Sequence, residues 1–71
     1  MSLIEIELII EKKNLSKEEI KERLKNLGTS LVIGEIKNFY KIHIHTDFEE
    51  EVIKEIEKIS KIAQIRKTPL T

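Results

Sequence analysis

Between Lys41 and Thr46, Ile42 and Ile44 interleave with His43 and His45, the only two histidines of the chain. Successive side chains of a β-strand point to opposite faces, so the isoleucines would share one face and the imidazoles the other. A strand patterned in this way belongs in a sheet with one covered side and one open side. Imidazole acts as a metal ligand, a proton carrier or a polar surface group according to what stands opposite it. The open side is therefore where function is to be sought.

The rest of the chain supplies the elements that such a sheet needs. From Leu3 to Ile10, the residues Ile4, Ile6, Leu8 and Ile10 alternate with Leu3, Glu5, Glu7 and Ile9, which predicts a strand with one wholly apolar face. Ser16, followed three residues later by Glu19 and flanked by Leu15 and Ile20, forms a capping box with a hydrophobic staple and fixes a helix start. Ile20, Leu24 and Leu27 give that helix one buried stripe, and Gly28 stands where a left-handed C-terminal residue is expected.

Ser30 to Ile33 and Phe39 to His45 then read as two strands joined by a hairpin connection, Gly34 to Asn38. Thr46 and Asp47 can cap a second helix, whose first turn holds Glu49, Glu50 and Glu51 near the positive end of the dipole. Val52, Ile53, Ile56 and Ile59 would line its buried side. Ile62 to Arg66 reads as a short edge strand before Pro69. An edge strand this short can pair within its own chain or with a neighbour. Glu19 with Arg23, Glu50 with Lys54 and Glu57 with Lys61 have the spacing of helix-surface ion pairs.

The order β-α-β-β-α-β, with right-handed crossovers, predicts an α+β ferredoxin-like sandwich: a four-stranded antiparallel sheet with two helices on one face. Strands one and three lie side by side in its middle. Ile4, Ile6, Leu8, Ile42, Ile44, Leu24 and Ile56 would occupy the covered side. Glu5 and Glu7 would then meet Lys41, His43 and His45 on the open side.

Composition removes several classes of function. The 71 residues make one domain, spanning 1–71, and Met1-Ser2-Leu3 has the look of a cloning leader on a domain excised from a longer protein. Without cysteine there is no disulfide and no thiolate metal site. Thirteen basic and thirteen acidic residues balance, which disfavours both a nucleic-acid surface and a polybasic membrane patch. No apolar run approaches the roughly 20 residues that span a bilayer, and no secretion signal opens the chain, so a cytoplasmic location is expected. Phosphate-binding glycine loops are missing, and charged residues occupy the central-strand positions where RNA-binding relatives of this architecture carry stacking aromatics.

Imidazole nitrogen and carboxylate oxygen both bind zinc and similar divalent ions. His43, His45 and either Glu5 or Glu7 would form a three-ligand set. The plainer reading is a set of ordinary cross-strand Glu-His pairs, worth at most about 1 kcal/mol each. A third reading is a protein interface, in which Ile9, Val32, Phe39 and Ile62 surround the charged centre. A flat open sheet does not exclude water or converge groups on a reacting atom, so catalysis by this domain alone is not expected.

The run Leu27-Gly28-Thr29-Ser30-Leu31-Val32-Ile33, with Lys41-Ile42-His43-Ile44-His45-Thr46 after it, resembles the L-G-[DT]-S-L-V-V and K-V-H-V-H-T block of the fatty acid kinase A family, also described as dihydroxyacetone-kinase-like. The similarity covers about Glu7 to Ile65 and falls in that family's middle domain. It implies a non-catalytic dimerisation or docking module of a protein that phosphorylates fatty acids presented by a DegV-like lipid carrier. It also implies metal binding by the two histidines together with a first-strand cysteine. His43 and His45 correspond to the histidines, whereas Glu5 stands where the cysteine would be and Glu35 replaces a hairpin glycine. Carboxylate in place of thiolate exchanges a soft ligand for a hard one, which favours weaker or different metal binding. The alternative is a free-standing ferredoxin-like domain that binds a metal or a small molecule.

Overall fold

Period-two apolar patterning produces four strands: β1 (Ile4–Glu11), β2 (Thr29–Ile36), β3 (Phe39–Thr46) and β4 (Ile62–Pro69). Helices α1 (Lys17–Leu24) and α2 (Glu49–Glu57) form the two crossovers. This computed structural model describes residues 3–71, so the leader reading of Met1 and Ser2 falls outside the described residues. The strands form one antiparallel sheet in the order β2-β3-β1-β4. That is the ferredoxin-like sandwich expected from the order of elements.

The covered side is dry and dominated by isoleucine. Ile6, Leu8 and Ile10 of β1, Ile42 and Ile44 of β3, Ile20 and Leu24 of α1, and Val52 and Ile56 of α2 are all fully buried in one cluster. Each such side chain contributes roughly 1.5–3 kcal/mol of burial against the entropy of ordering the chain. Tyr40 joins them and donates its phenolic hydrogen to the Leu15 carbonyl at 2.6 Å, so its one polar atom is satisfied. Ile62 packs against this core opposite Ile10, which removes it from the open face where the interface reading places it.

Helix α1 starts as its capping box requires. Ser16 Oγ accepts from the Glu19 amide at 3.2 Å, and the Glu19 carboxylate accepts from the Ser16 amide at 3.0 Å. Helix α2 starts differently. Its N-cap is Phe48, without a side-chain cap, and Asp47 takes no part. The buried Thr46 hydroxyl instead accepts from the Phe48 amide at 2.8 Å and donates to the Leu27 carbonyl, tying the end of β3 to the turn that follows α1.

Gly28 is not a left-handed C-cap, because no glycine has positive φ. It is needed for close approach: a Cβ there would collide with the His45 carbonyl oxygen and lie 2.9 Å from Ile44 Cγ1. The β2–β3 hairpin is tighter than a Gly34 to Asn38 loop. Ile36 pairs with Phe39 across a two-residue turn, and Lys37 has φ 50° as such turns demand. Glu35 accordingly lies within β2, where Lys12 hydrogen-bonds it; that bond raises the Lys12 pKa and lowers that of Glu35.

Strand β4 runs eight residues, beyond Arg66, and pairs with β1 of the same chain. Pro69 at its outer end fits an edge position, since proline has no amide hydrogen to donate. The expected i, i+4 ion pairs do not form among the described residues. Glu19 is engaged in the capping box, Arg23 reaches across to Glu55 of α2 at 3.3 Å, and Lys61 lies beyond the end of α2.

Candidate metal centre on the open sheet face

The antiparallel register between β1 and β3 places Glu5 opposite His45 and Glu7 opposite His43. On the far side of β3, Thr29 stands opposite His45 and Val32 opposite His43. Three positions of β2 thus span two of β3, a bulge that accommodates Ser30 at φ 55°. Beyond β1, Arg66 of β4 stands opposite Glu7.

Glu5 is the point of convergence. Its Oε1 lies 3.3 Å from His45 Nε2 and 3.6 Å from His43 Nε2. The two imidazole rings have centroids 5.2 Å apart and are tilted by 52°. One donor atom from each of Glu5, His43 and His45 falls within 4.8 Å of the others. Two ligands of a tetrahedral zinc ion, with bonds of about 2.0–2.2 Å, are separated by about 3.3–3.6 Å. The Glu5 separations from both histidines already approach that figure, so the donor set fits a small divalent cation after modest side-chain adjustment.

Glu7 has a different environment. Its carboxylate meets Lys41 Nζ at 3.7 Å, Arg66 Nη1 at 3.5 Å and His43 Nδ1 at 3.7 Å. It thus faces the other nitrogen of His43 and two cations, and stands outside the three-donor group. Strand alternation leaves either Glu5 or Glu7 as the third ligand and the family resemblance selects Glu5, which is the carboxylate lying within 3.6 Å of both imidazoles. Sequence reasoning misses Arg66, because its approach to Glu7 depends on β4 register beyond an irregularity at Ile9/Ile10.

All four polar side chains are half-buried, so water reaches them. Next to them lies a shallow groove of about 380 Å³ lined by Glu7, Val32, Gly34, Glu35, Ile36, Lys41 and His43. Val32, Ile36 and Phe39 make an exposed apolar strip along this side of the sheet. Among the described residues, no helix is long and apolar enough to cross a membrane.

A search among curated proteins found no significant match. Compared with known families, residues 4–70 match the middle domain of the fatty acid kinase A-like (FakA-like) family. That span runs from the first residue of β1 to just past the end of β4 and includes every element of the sandwich. The chain therefore belongs to the FakA-like middle-domain family.

Proposed function

We propose that this domain is a non-catalytic docking and dimerisation module of a fatty-acid-kinase-like protein, with a divalent-metal site at Glu5, His43 and His45. The observation that carries the metal reading is the convergence of three donors within 4.8 Å on a face that the helices leave open. A cation such as zinc would supply a cross-link between β1 and β3 that holds the outer face rigid. His43 and His45 would bind through Nε2 and Glu5 through Oε1, the atoms that already face one another.

The dimer reading places a second copy of this chain over the open face. It is supported by the exposed strip Val32, Ile36 and Phe39 beside the polar centre, since exposed apolar residues grouped on one surface mark contact sites. Contact with a DegV-like lipid carrier, and a cytoplasmic setting, belong to the proposal only through the parent protein. Any phosphoryl transfer would be carried out by other parts of that protein.

Native mass spectrometry of the purified domain, with zinc and then with chelator, tests both parts. The expected result is a dimer carrying one divalent ion per chain, with the ion lost to the chelator. A zinc-indifferent protein would overturn the metal site, and a monomer at micromolar concentration would overturn the dimer.

A further inference from the structure

His43 is the better-enclosed of the two imidazoles by charge. Each of its ring nitrogens faces a carboxylate: Nε2 lies 3.6 Å from Glu5 Oε1, and Nδ1 lies 3.7 Å from Glu7 Oε2. His45 is paired with Glu5 alone. A neutral imidazole that gives one nitrogen's lone pair to a cation must carry its hydrogen on the other. If Nε2 is the donor, the hydrogen of His43 sits on Nδ1, directed at Glu7.

Glu7 is itself held from both sides. Lys41 of β3 and Arg66 of β4 approach its two oxygens at 3.7 and 3.5 Å. The carboxylate is thereby positioned between neighbouring strands rather than free to swing into the three-donor group. A small ring rotation would bring Nδ1 of His43 within hydrogen-bond distance of it. Carboxylates placed behind a ligating histidine orient the ring and raise its basicity.

We propose that Glu7 is a positioning residue of the cation site, accepting the Nδ1 hydrogen of His43 so that Nε2 is presented toward Glu5. This rests on the metal reading of Glu5, His43 and His45. It assigns different roles to two glutamates that stand two residues apart on one strand: Glu5 binds and Glu7 orients. Arg66 supports Glu7 from the edge strand.

The test is zinc affinity by chelator competition in the wild-type domain and in Glu7→Leu, Glu7→Gln and Arg66→Ala, with thermal melting of each as a check of folding. Glu7→Leu should weaken zinc binding about 10–100-fold. Glu7→Gln keeps an accepting oxygen and should recover most of that loss. Arg66 is well exposed, so Arg66→Ala should fold normally and weaken binding several-fold. Long-range nitrogen–proton NMR of the zinc-loaded protein should place the His43 hydrogen on Nδ1, with its resonance displaced in Glu7→Leu and His45 little changed.

Wild-type binding with an indifferent Glu7→Leu would overturn the role of Glu7 and leave the metal site standing. Glu7→Gln as weak as Glu7→Leu would point to charge alone and would also overturn it. A wild-type domain that does not bind zinc would remove the metal reading, and the role of Glu7 with it.

Discussion

On the covered face of the two central strands, Ile6 stands opposite Ile44 and Leu8 opposite Ile42; one residue along the same ladder, Glu5 stands opposite His45 and Glu7 opposite His43. The backbone pairing is common to both sets. What differs is the surroundings, since the apolar side chains are sealed beneath two helices while the polar groups keep a fifth to a third of their surface. Burial on the first face holds the fold together, and each polar pair on the second is worth at most about 1 kcal/mol. Strand alternation thus separates stability from chemistry within a single ladder. Mutations on the two faces should be separable in the same way.

The largest effect should come from the covered face. Ile44→Ala removes a fully buried side chain at the centre of the core and should destabilise the domain by about 2–5 kcal/mol. Small domains have only about 5–15 kcal/mol in hand. Urea unfolding monitored by circular dichroism would show this as a large drop in midpoint. A variant that unfolds like the wild type would mean that the covered face is not the source of stability.

Gly28→Ala sharpens the comparison because it reaches the open face from behind. The added Cβ would meet the His45 carbonyl oxygen and the Ile44 side chain, so backbone must shift at the residue that carries one of the proposed ligands. A cost of about 1–3 kcal/mol is expected, as for other overpacking substitutions. Displacement of the His45 amide signal in a heteronuclear NMR spectrum would locate the shift. If His45 stays in place while stability falls, the strain is being absorbed by the α1–β2 connection instead.

His43→Ala combined with His45→Ala should do the opposite. Neither side chain belongs to the core, so unfolding should remain cooperative and stability should change by no more than about 1 kcal/mol. Loss of cooperative unfolding in this double variant would show that the open face contributes to the fold.

Much of this division could be read from residue order. The alternation of Ile4, Ile6, Leu8 and Ile10 and the Ser16–Glu19 box are local signals, and the structure contains both as expected. Element order then implied the topology, and topology brought Glu5, Glu7, His43 and His45 together. Features set by distant contacts were not legible. Gly28 carries the same letter whether it ends a helix or lets two backbones approach, and only the position of His45 distinguishes the two. Arg23 has a spacing partner at Glu19, but the packing of α1 on α2 offers it Glu55. Glu5 could be named as a ligand through its match to the family's cysteine position, but the separate surroundings of Glu7 could not, since they depend on side-chain direction and on Arg66, whose neighbour is set by a register irregularity that residue order does not announce.

The smallest effect belongs to a third surface, the outer side of the two helices, where Glu55 meets two cations that are themselves exposed. Glu55 receives a hydrogen bond from Lys58 at 2.7 Å and another from Arg23 at 3.3 Å. The Lys58 bond chiefly, with Arg23 adding to it, lowers the Glu55 pKa from its ordinary value of 4.5. A carboxyl depressed by folding stabilises the native state above its unfolded pKa, and that stabilisation is lost as pH falls through the lower folded value. Glu55→Gln removes the charge at every pH. Urea midpoints of wild type and Glu55→Gln should therefore differ slightly at neutral pH, with the wild type higher, and converge in acid once Glu55 is protonated. Because the pair is exposed, salt should shrink the neutral-pH difference. A difference that persists in acid would mean that Glu55 acts through packing of its methylene groups between the helices, and the solvent side would then share in the core.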